Sequence, residues 1–233
     1  QEHNPEKRYK MFTAAQYPRL RYWQYLLQCA PDGIRWSDPV AQSGQVGDRS
    51  TAFYNPFRNV WVMSIRDVTT IDDRSRLYAE HPDPEMAVSI THRVQPGYRD
   101  KNVVFWFTAS DRDPRHPDYP EQDPGVYNFD AIAYESIMLG LYTIWQGPHN
   151  KVCAELGIQK RNEVLVGYSR DGFHFYRGSY EPFMGVNPQE GAWNWGNVQS
   201  VVGAPIIVGD FLYFYVSGRA LMPENPDSQM STG

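Results

Sequence analysis

The chain has 233 residues and a formal net charge of -5 at pH 7, with arginines scattered singly rather than gathered into a stripe. This pattern gives no basic surface for nucleic acid, and no apolar run approaches the roughly 20 residues of a membrane-spanning helix, so neither partner is predicted. Aromatic residues make up 15% of the chain, beside 18 glycines and 18 prolines, a mixture that favours short strands and tight turns. The composition predicts an all-β fold without long helices.

Residues 29–36 and 168–175 form the first of two internal repeats. Each copy has a strand-like run, then Asp-Gly, then an aromatic residue three positions after the glycine. Asp-Gly between such runs is a strong hairpin signal, because glycine tolerates positive φ and aspartate bonds to nearby backbone. Both copies predict outer hairpins, with Asp32 and Asp171 as turn residues rather than catalytic carboxylates.

The second repeat has three copies, Asp48-Arg-Ser50, Tyr134-Glu-Ser136 and Val198-Gln-Ser200, whose serines are 86 and 64 residues apart. After each copy we predict a turn and an aromatic-rich strand, at residues 61–66, 141–145 and 211–216. Further strands are predicted at 103–107 and 163–167. This spacing allows about four strands per unit, the content of a propeller blade. We expect the three copies to open the innermost strands of successive blades around one axis.

Two segments interrupt this pattern. Residues 110–127 carry four prolines among acidic residues, which excludes a central strand and predicts a long surface loop beside the functional face. Residues 222–233 are polar and irregular and follow only two strands of the last unit. The chain is therefore predicted to be a single β-propeller domain over residues 1–233, incomplete at one or both ends.

The motifs Arg8-Tyr-Lys-Met-Phe12, Asp48-Arg-Ser-Thr51, Tyr54-Asn-Pro-Phe57, Tyr134-Glu-Ser136 and Ser169-Arg-Asp-Gly-Phe-His-Phe175 resemble five-bladed propeller glycoside hydrolases. That group contains arabinanases, xylosidases and invertases, and the similarity is greatest to its uncharacterised bacterial members. The sialidase Asp-box is a near match, but it has an extra residue between Asp and Gly that both hairpins here lack. The resemblance implies hydrolysis of a glycosidic bond in an oligosaccharide or polysaccharide.

The resemblance also implies two carboxylates that reach the propeller axis from different blades, one as acid and one as base or nucleophile. Glu135 is predicted to be the general acid, because it lies in the apolar stretch 131–141, where burial would raise its pKa. Asp48 is predicted as the second carboxylate, although the repeat aligns Arg49 with Glu135, and a further acid could precede this chain. The alternative is a structural ion pair of Glu135 with Arg49 or Arg66.

Substrate contacts are predicted in two groups. Trp193, Trp195, Asn197 and Gln199 combine aromatic faces with amide groups, which suit the CH patches and hydroxyls of sugars. Packing of the two tryptophans within a loop is an equal alternative. Arg49, Arg66 and Arg219 lie at the ends of equivalent strands, where they could bind an acidic sugar or neutralise Glu135.

No cofactor or metal is predicted. Cys29 and Cys153 form no metal-binding or disulfide pattern, and six histidines lack paired spacing, namely His3, His81, His92, His116, His149 and His174. Gln1 is not an initiator methionine, and a processed or truncated start is expected in a periplasmic or secreted protein. The oligomeric state is left open. The alternative functions are a non-catalytic carbohydrate-binding propeller, or a sialidase-like, lyase or phosphorylase propeller that acts on acidic or phosphorylated sugars.

Overall fold

The computed structural model describes residues 3–16, 22–67, 74–89, 102–189, 191–201, 203, 205–219 and 231–232. Most of the regular structure is β-strand, which confirms the all-β prediction. The α-helices among these residues are short, α1 at Pro84–Ser89 and α2 at Asn150–Leu156, and no described helix is long and apolar enough to cross a membrane. The chain packs as two compact units, Gln1–Trp106 and Phe107–Gly233.

The first unit contains two sheets. Its strands are β1 (Tyr9–Gln16), β2 (Trp23–Ala30), β3 (Ala41–Gln42), β4 (Thr51–Asn55), β5 (Val60–Arg66), β6 (Arg76–His81) and β7 (Val104–Phe107), and a 3-10 helix at Pro5–Lys7 precedes them. The first three strands form one sheet, and β4 to β7 form a second sheet in chain order. Four consecutive strands in one sheet are the content of a propeller blade. The closure of such sheets around one axis stays a prediction.

A hydrophobic core joins the two sheets of the first unit. It is built from Tyr25, Leu27, Val46, Met63, Ile65, Leu77, Ala79, Ala87, Val88 and Val103. The hydroxyl of Tyr25 donates hydrogen bonds of 2.9 Å to the backbone oxygens of Thr51 and Ser64. Because these acceptors lie on β4 and β5, a side chain of β2 fixes one sheet against the other.

The second unit contains three sheets. Its strands are β8 (Gly125–Tyr134), β9 (Ile137–Gly147), β10 (Arg161–Ser169), β11 (Asn197–Val201), β12 (Ile206–Val208), β13 (Phe211–Tyr213), β14 (Val216–Arg219) and β15 (Ser231–Thr232). The sheets have the orders β8-β9-β10, β11-β14-β15 and β12-β13.

The β8-β9-β10 sheet is covered on both faces, since successive strand residues point to opposite sides. On one face Tyr142 stacks on Phe129, with ring centroids 6.1 Å apart, and Phe107 packs against both rings. On the other face, Leu141 and Val164 belong to a core cluster with Val198, Val201 and Val216. This burial explains the long apolar run of β9.

Both Asp-Gly turns are confirmed. Oδ1 of Asp32 accepts hydrogen bonds from the backbone N–H groups of Ile34 and Arg35. Oδ1 of Asp171 accepts the same pair of bonds, from Phe173 and His174, at 2.8 Å each. The two copies of the first repeat therefore fold by the same local hydrogen bonds.

Two predicted strand boundaries are wrong. Residues 141–145 do not follow a separate turn, because Ile137–Gly147 is one continuous strand. Residues 211–216 are divided between β13, which pairs with β12, and β14, which pairs with β11. The predicted strands at 103–107 and 163–167 correspond to β7 and to the middle of β10.

The predicted loop is confirmed between the end of β7 and the start of β8, although residues 125–127 belong to β8. Asp113 within it is buried, so the loop is anchored rather than wholly superficial. His92 and most of residues 222–233 lie outside the described residues.

Candidate functional site

Glu135 lies in a tight turn, not in a strand. Tyr134 at the end of β8 pairs with Ile137 at the start of β9, which leaves Glu135 and Ser136 as a two-residue hairpin loop. Glu135 is exposed. The prediction that it occupies a buried apolar strand is therefore wrong, because the apolar residues before and after it belong to two strands and the turn lies between them.

The backbone of Glu135 is in the left-handed region, with φ of 52°. Two-residue hairpin loops with positive φ favour Gly, Asn or Asp, since a longer side chain gains nothing from the turn and suffers a steric penalty. The carboxylate forms no hydrogen bond or ion pair with another residue in the described part of the chain. Glu135 thus occupies a position where the turn itself does not favour glutamate.

Asp48 lies in the turn before β4 and forms an ion pair with Arg66, the last residue of β5. Their side chains are 34% and 24% exposed, respectively. Arg49 has φ of 61°, and its backbone oxygen accepts a hydrogen bond of 2.8 Å from Nη1 of Arg76. The sequence alternative of an Arg66–Glu135 pair is not the arrangement found, because the partner of Arg66 is Asp48.

Gln199 and Arg219 are brought together in the second unit. Nε of Arg219 donates to Oε1 of Gln199 at 2.9 Å, and Nε2 of Gln199 donates to the hydroxyl of Tyr127 at 3.3 Å. Nδ2 of Asn197 donates to the backbone oxygen of Lys160 at 3.2 Å. Asn197 and Gln199 are 0% and 1% exposed, so burial argues against the predicted contact of these amides with a sugar.

The two tryptophans of this segment differ in their surroundings. The ring of Trp193 lies so close to Gly218 that a Cβ at that position would come within 2.5 Å of ring carbons. Trp193 is nevertheless 38% exposed, whereas Trp195 is half-buried. Trp193 therefore serves in packing, as the alternative expected, and its binding role stays a prediction.

A cavity of about 720 Å³ in the first unit was not predicted from the sequence. The start of β1, the hairpin between β4 and β5, and the residues after β6 form its walls. Its lining includes Tyr9, Tyr54 and Trp61, with the cations Arg8 and Lys10. The only sequence signal was that three of these residues lie in the motif at 8–12 and one in the motif at 54–57, to which no role was assigned.

Within the described residues, no group of three or more His, Cys, Asp or Glu side chains could hold a metal ion. Cys29 and Cys153 are free thiols, of which Cys29 is buried. Burial raises the pKa of the Cys153 thiol, more than the charge of nearby Lys160 lowers it.

No protein-family model matches the chain, and no curated protein matches it. Two solved structures align with it over 90% of its length and 83% of theirs. One is a complex of BT0996 with RGII, at 8% identity and a TM-score of 0.36, and the other is a glycoside hydrolase, at 9% identity and a TM-score of 0.33. Since both TM-scores are below 0.5, the function has to follow from the residues of the chain itself.

Proposed function

We propose that the protein is a glycoside hydrolase in which Glu135 donates a proton to the leaving oxygen. The observation that carries this proposal is the exposed carboxylate of Glu135, without a partner among the described residues, on a left-handed turn that favours other residue types. Residues held in such backbone conformations cluster at functional sites. A carboxylate that stabilises neither its turn nor a neighbouring cation is available for a ligand.

The surroundings of the two candidate carboxylates suit different roles. Asp48 is held in an ion pair with Arg66, and a nearby cation favours the ionised form that a base or nucleophile needs. Glu135 has no such cation in the described chain. Removal of water from a carboxyl group favours its neutral form, so a saccharide that covers Glu135 would prepare it for proton donation.

The proposal is tested with the full chain and a panel of aryl glycosides and plant, algal and host glycans. Once a cleaved substrate is found, Glu135→Gln should lower kcat by roughly 10²–10⁴-fold while the fold is retained. The loss should be much smaller for dinitrophenyl glycosides, whose leaving group needs little protonation. The matched control is Glu155→Gln, which removes an exposed carboxylate from α2 and should leave hydrolysis unchanged.

A second candidate is a carbohydrate-binding protein without hydrolytic activity. It is favoured by the engagement of Asp48 with Arg66, which occupies the second predicted carboxylate. Saturable glycan binding together with no cleavage across the panel would select this candidate. Equal rates for wild type and Glu135→Gln on natural and activated substrates would exclude Glu135 as the proton donor.

A further inference from the structure

The cavity of the first unit has a fixed aromatic wall. Tyr54 and Trp61 are cross-strand neighbours of β4 and β5, with ring centroids 5.0 Å apart. Phe12 packs behind Trp61 at 5.1 Å, and the hydroxyl of Tyr54 is hydrogen-bonded to Oδ1 of Asn59. Because both rings are held by neighbours, a ligand would find this wall already formed.

Part of this aromatic surface faces solvent. Tyr54 is 38% exposed, and Tyr9 on β1 is 41% exposed. The ring of Tyr9 lies 3.6 Å from the position that a Cβ of Gly33 would occupy, so one edge of the ring rests on the β2–β3 loop. Exposed aromatic faces of this kind bind the CH patches of sugar rings, as they bury apolar area while leaving hydroxyls free.

The charged groups of the cavity have one sign. Arg8 and Lys10 line it, and none of its described lining residues is acidic. The nearest acidic neighbour in sequence, Glu85 after Pro84, is paired with Lys7 outside that lining. Arg8 is exposed and forms no ion pair with an acidic residue in the described chain. In a protein with a net charge of -5, this is a local site for an anion.

We propose that this cavity binds an acidic sugar residue, either a uronate or a sulfated sugar. The sugar ring would stack on Tyr54 and Trp61, and its anionic group would accept charge-assisted hydrogen bonds from Arg8 and Lys10. The volume of about 720 Å³ is within the range of about 300–1,000 Å³ typical of small-molecule sites. The site is built only from residues of the first unit, so it goes beyond the role proposed for Glu135.

A nucleotide fits this cavity less well, although it also combines a ring with negative charge. Phosphate cradles use successive backbone N–H groups in glycine-rich loops or at helix N-termini. Here the wall after β6 contains Pro82 and Pro84, which have no N–H, and α1 has only six residues. Side-chain cations and rings therefore dominate the recognition.

The experiment is isothermal titration of the full chain carrying Glu135→Gln, so that hydrolysis cannot consume the ligand. The probes are tri-galacturonate, its fully methyl-esterified form, a sulfated trisaccharide and AMP. We expect saturable binding of tri-galacturonate or the sulfated trisaccharide, and the preferred probe identifies the anionic group. The methyl ester should bind at least fivefold more weakly, and salt should weaken the acidic probe because partly exposed charges are screened.

Variants locate the binding. Arg8→Gln and Lys10→Gln should each weaken the acidic probe by about 5- to 20-fold with little effect on the ester. Tyr54→Ala should weaken both probes. The controls are Arg35→Gln, an exposed arginine outside the cavity, and Tyr215→Ala, an exposed tyrosine of the second unit, and neither should change binding.

Three results would overturn the proposal: equal affinity for the acid and its methyl ester, equal losses in the control variants, or competition by AMP. Absence of any saturable binding by the acidic probes would do the same. The enzyme proposal is judged separately by cleavage assays, so binding without cleavage supports this site alone, and cleavage without binding at this cavity supports Glu135 alone.

Discussion

Arg49 and Glu135 hold the same left-handed backbone conformation, with φ of 61° and 52°, and each is followed by a serine. These are aligned positions of the second sequence repeat. The third aligned residue, Gln199, lies where the β11–β14 pairing skips from Val198 to Ser200, which is a β-bulge. All three copies therefore place an irregular backbone before the serine, and such irregularities re-aim side chains beside functional sites.

Replacement of Glu135 by asparagine should stabilise the fold. Asparagine tolerates the left-handed region better than glutamate, so Glu135→Asn should raise the free energy of unfolding by about 0.5–1 kcal/mol in urea denaturation. Ser136→Asn, at the neighbouring turn position without positive φ, is the control and should give no gain. If Glu135 is the proton donor, the stabilised variant should also lose hydrolysis. A clear loss of stability would instead assign the carboxylate a structural role.

The Asp48–Arg66 pair should contribute little to stability. Since both side chains are partly exposed, a double-mutant cycle with Asp48→Asn and Arg66→Gln should give a coupling energy below about 1 kcal/mol. If Asp48 is the base or nucleophile, Asp48→Asn should abolish hydrolysis, whereas Arg66→Gln should only reduce it. Equal, small effects of both variants on kcat would remove Asp48 from the catalytic assignment.

The features that could be predicted from the sequence are those determined by short-range contacts. The turns at Asp32 and Asp171 depend on hydrogen bonds two and three residues ahead, so Asp-Gly alone identifies them. The turn at Glu135 contains neither Gly nor Asn, and apolar strands flank it on both sides, so nothing in the local pattern separated β8 from β9. The aromatic cavity was not predictable, because it joins residues 8–10, 54–61 and 82–84, which only the fold brings together.

The loop before β8 should depend on the Asp113–Arg177 ion pair. Nη1 of Arg177 lies 2.6 Å from Oδ2 of Asp113, with side-chain exposures of 12% and 0%, and its guanidinium lies 4.0 Å from the ring centroid of Phe107. Arg177→Met should destabilise the protein by about 3–5 kcal/mol, because it leaves a buried carboxylate without its cation. Chemical denaturation measures the loss, and Arg170→Met, at an exposed arginine, should have little effect. A loss below about 1 kcal/mol for Arg177→Met would mean that the loop does not depend on this pair.

The Asp171 turn should make stability depend on pH in the acidic range. Burial raises the pKa of Asp171, but the hydrogen bonds from the His174 side chain, from the backbone of His174 and Phe173 and from Ser169 outweigh it and lower the pKa well below its ordinary value. In the unfolded chain the carboxyl should titrate near the ordinary value of about 3.9. The unfolded state therefore takes up its proton first as the pH falls, and the contribution of Asp171 to stability is lost from about pH 5 downward towards the folded pKa.

Asp171→Asn tests this dependence, because the amide oxygen can still accept the backbone hydrogen bonds but carries no charge. In denaturation curves at pH 7, 5, 4 and 3, wild type should be more stable than the variant at pH 7, and the difference should shrink steadily below pH 5. Asp38→Asn, at an exposed aspartate whose carboxylate accepts no hydrogen bond from another described residue, should show no such trend. A difference between wild type and Asp171→Asn that is as large at pH 3 as at pH 7 would mean that the charge of Asp171 does not stabilise the turn.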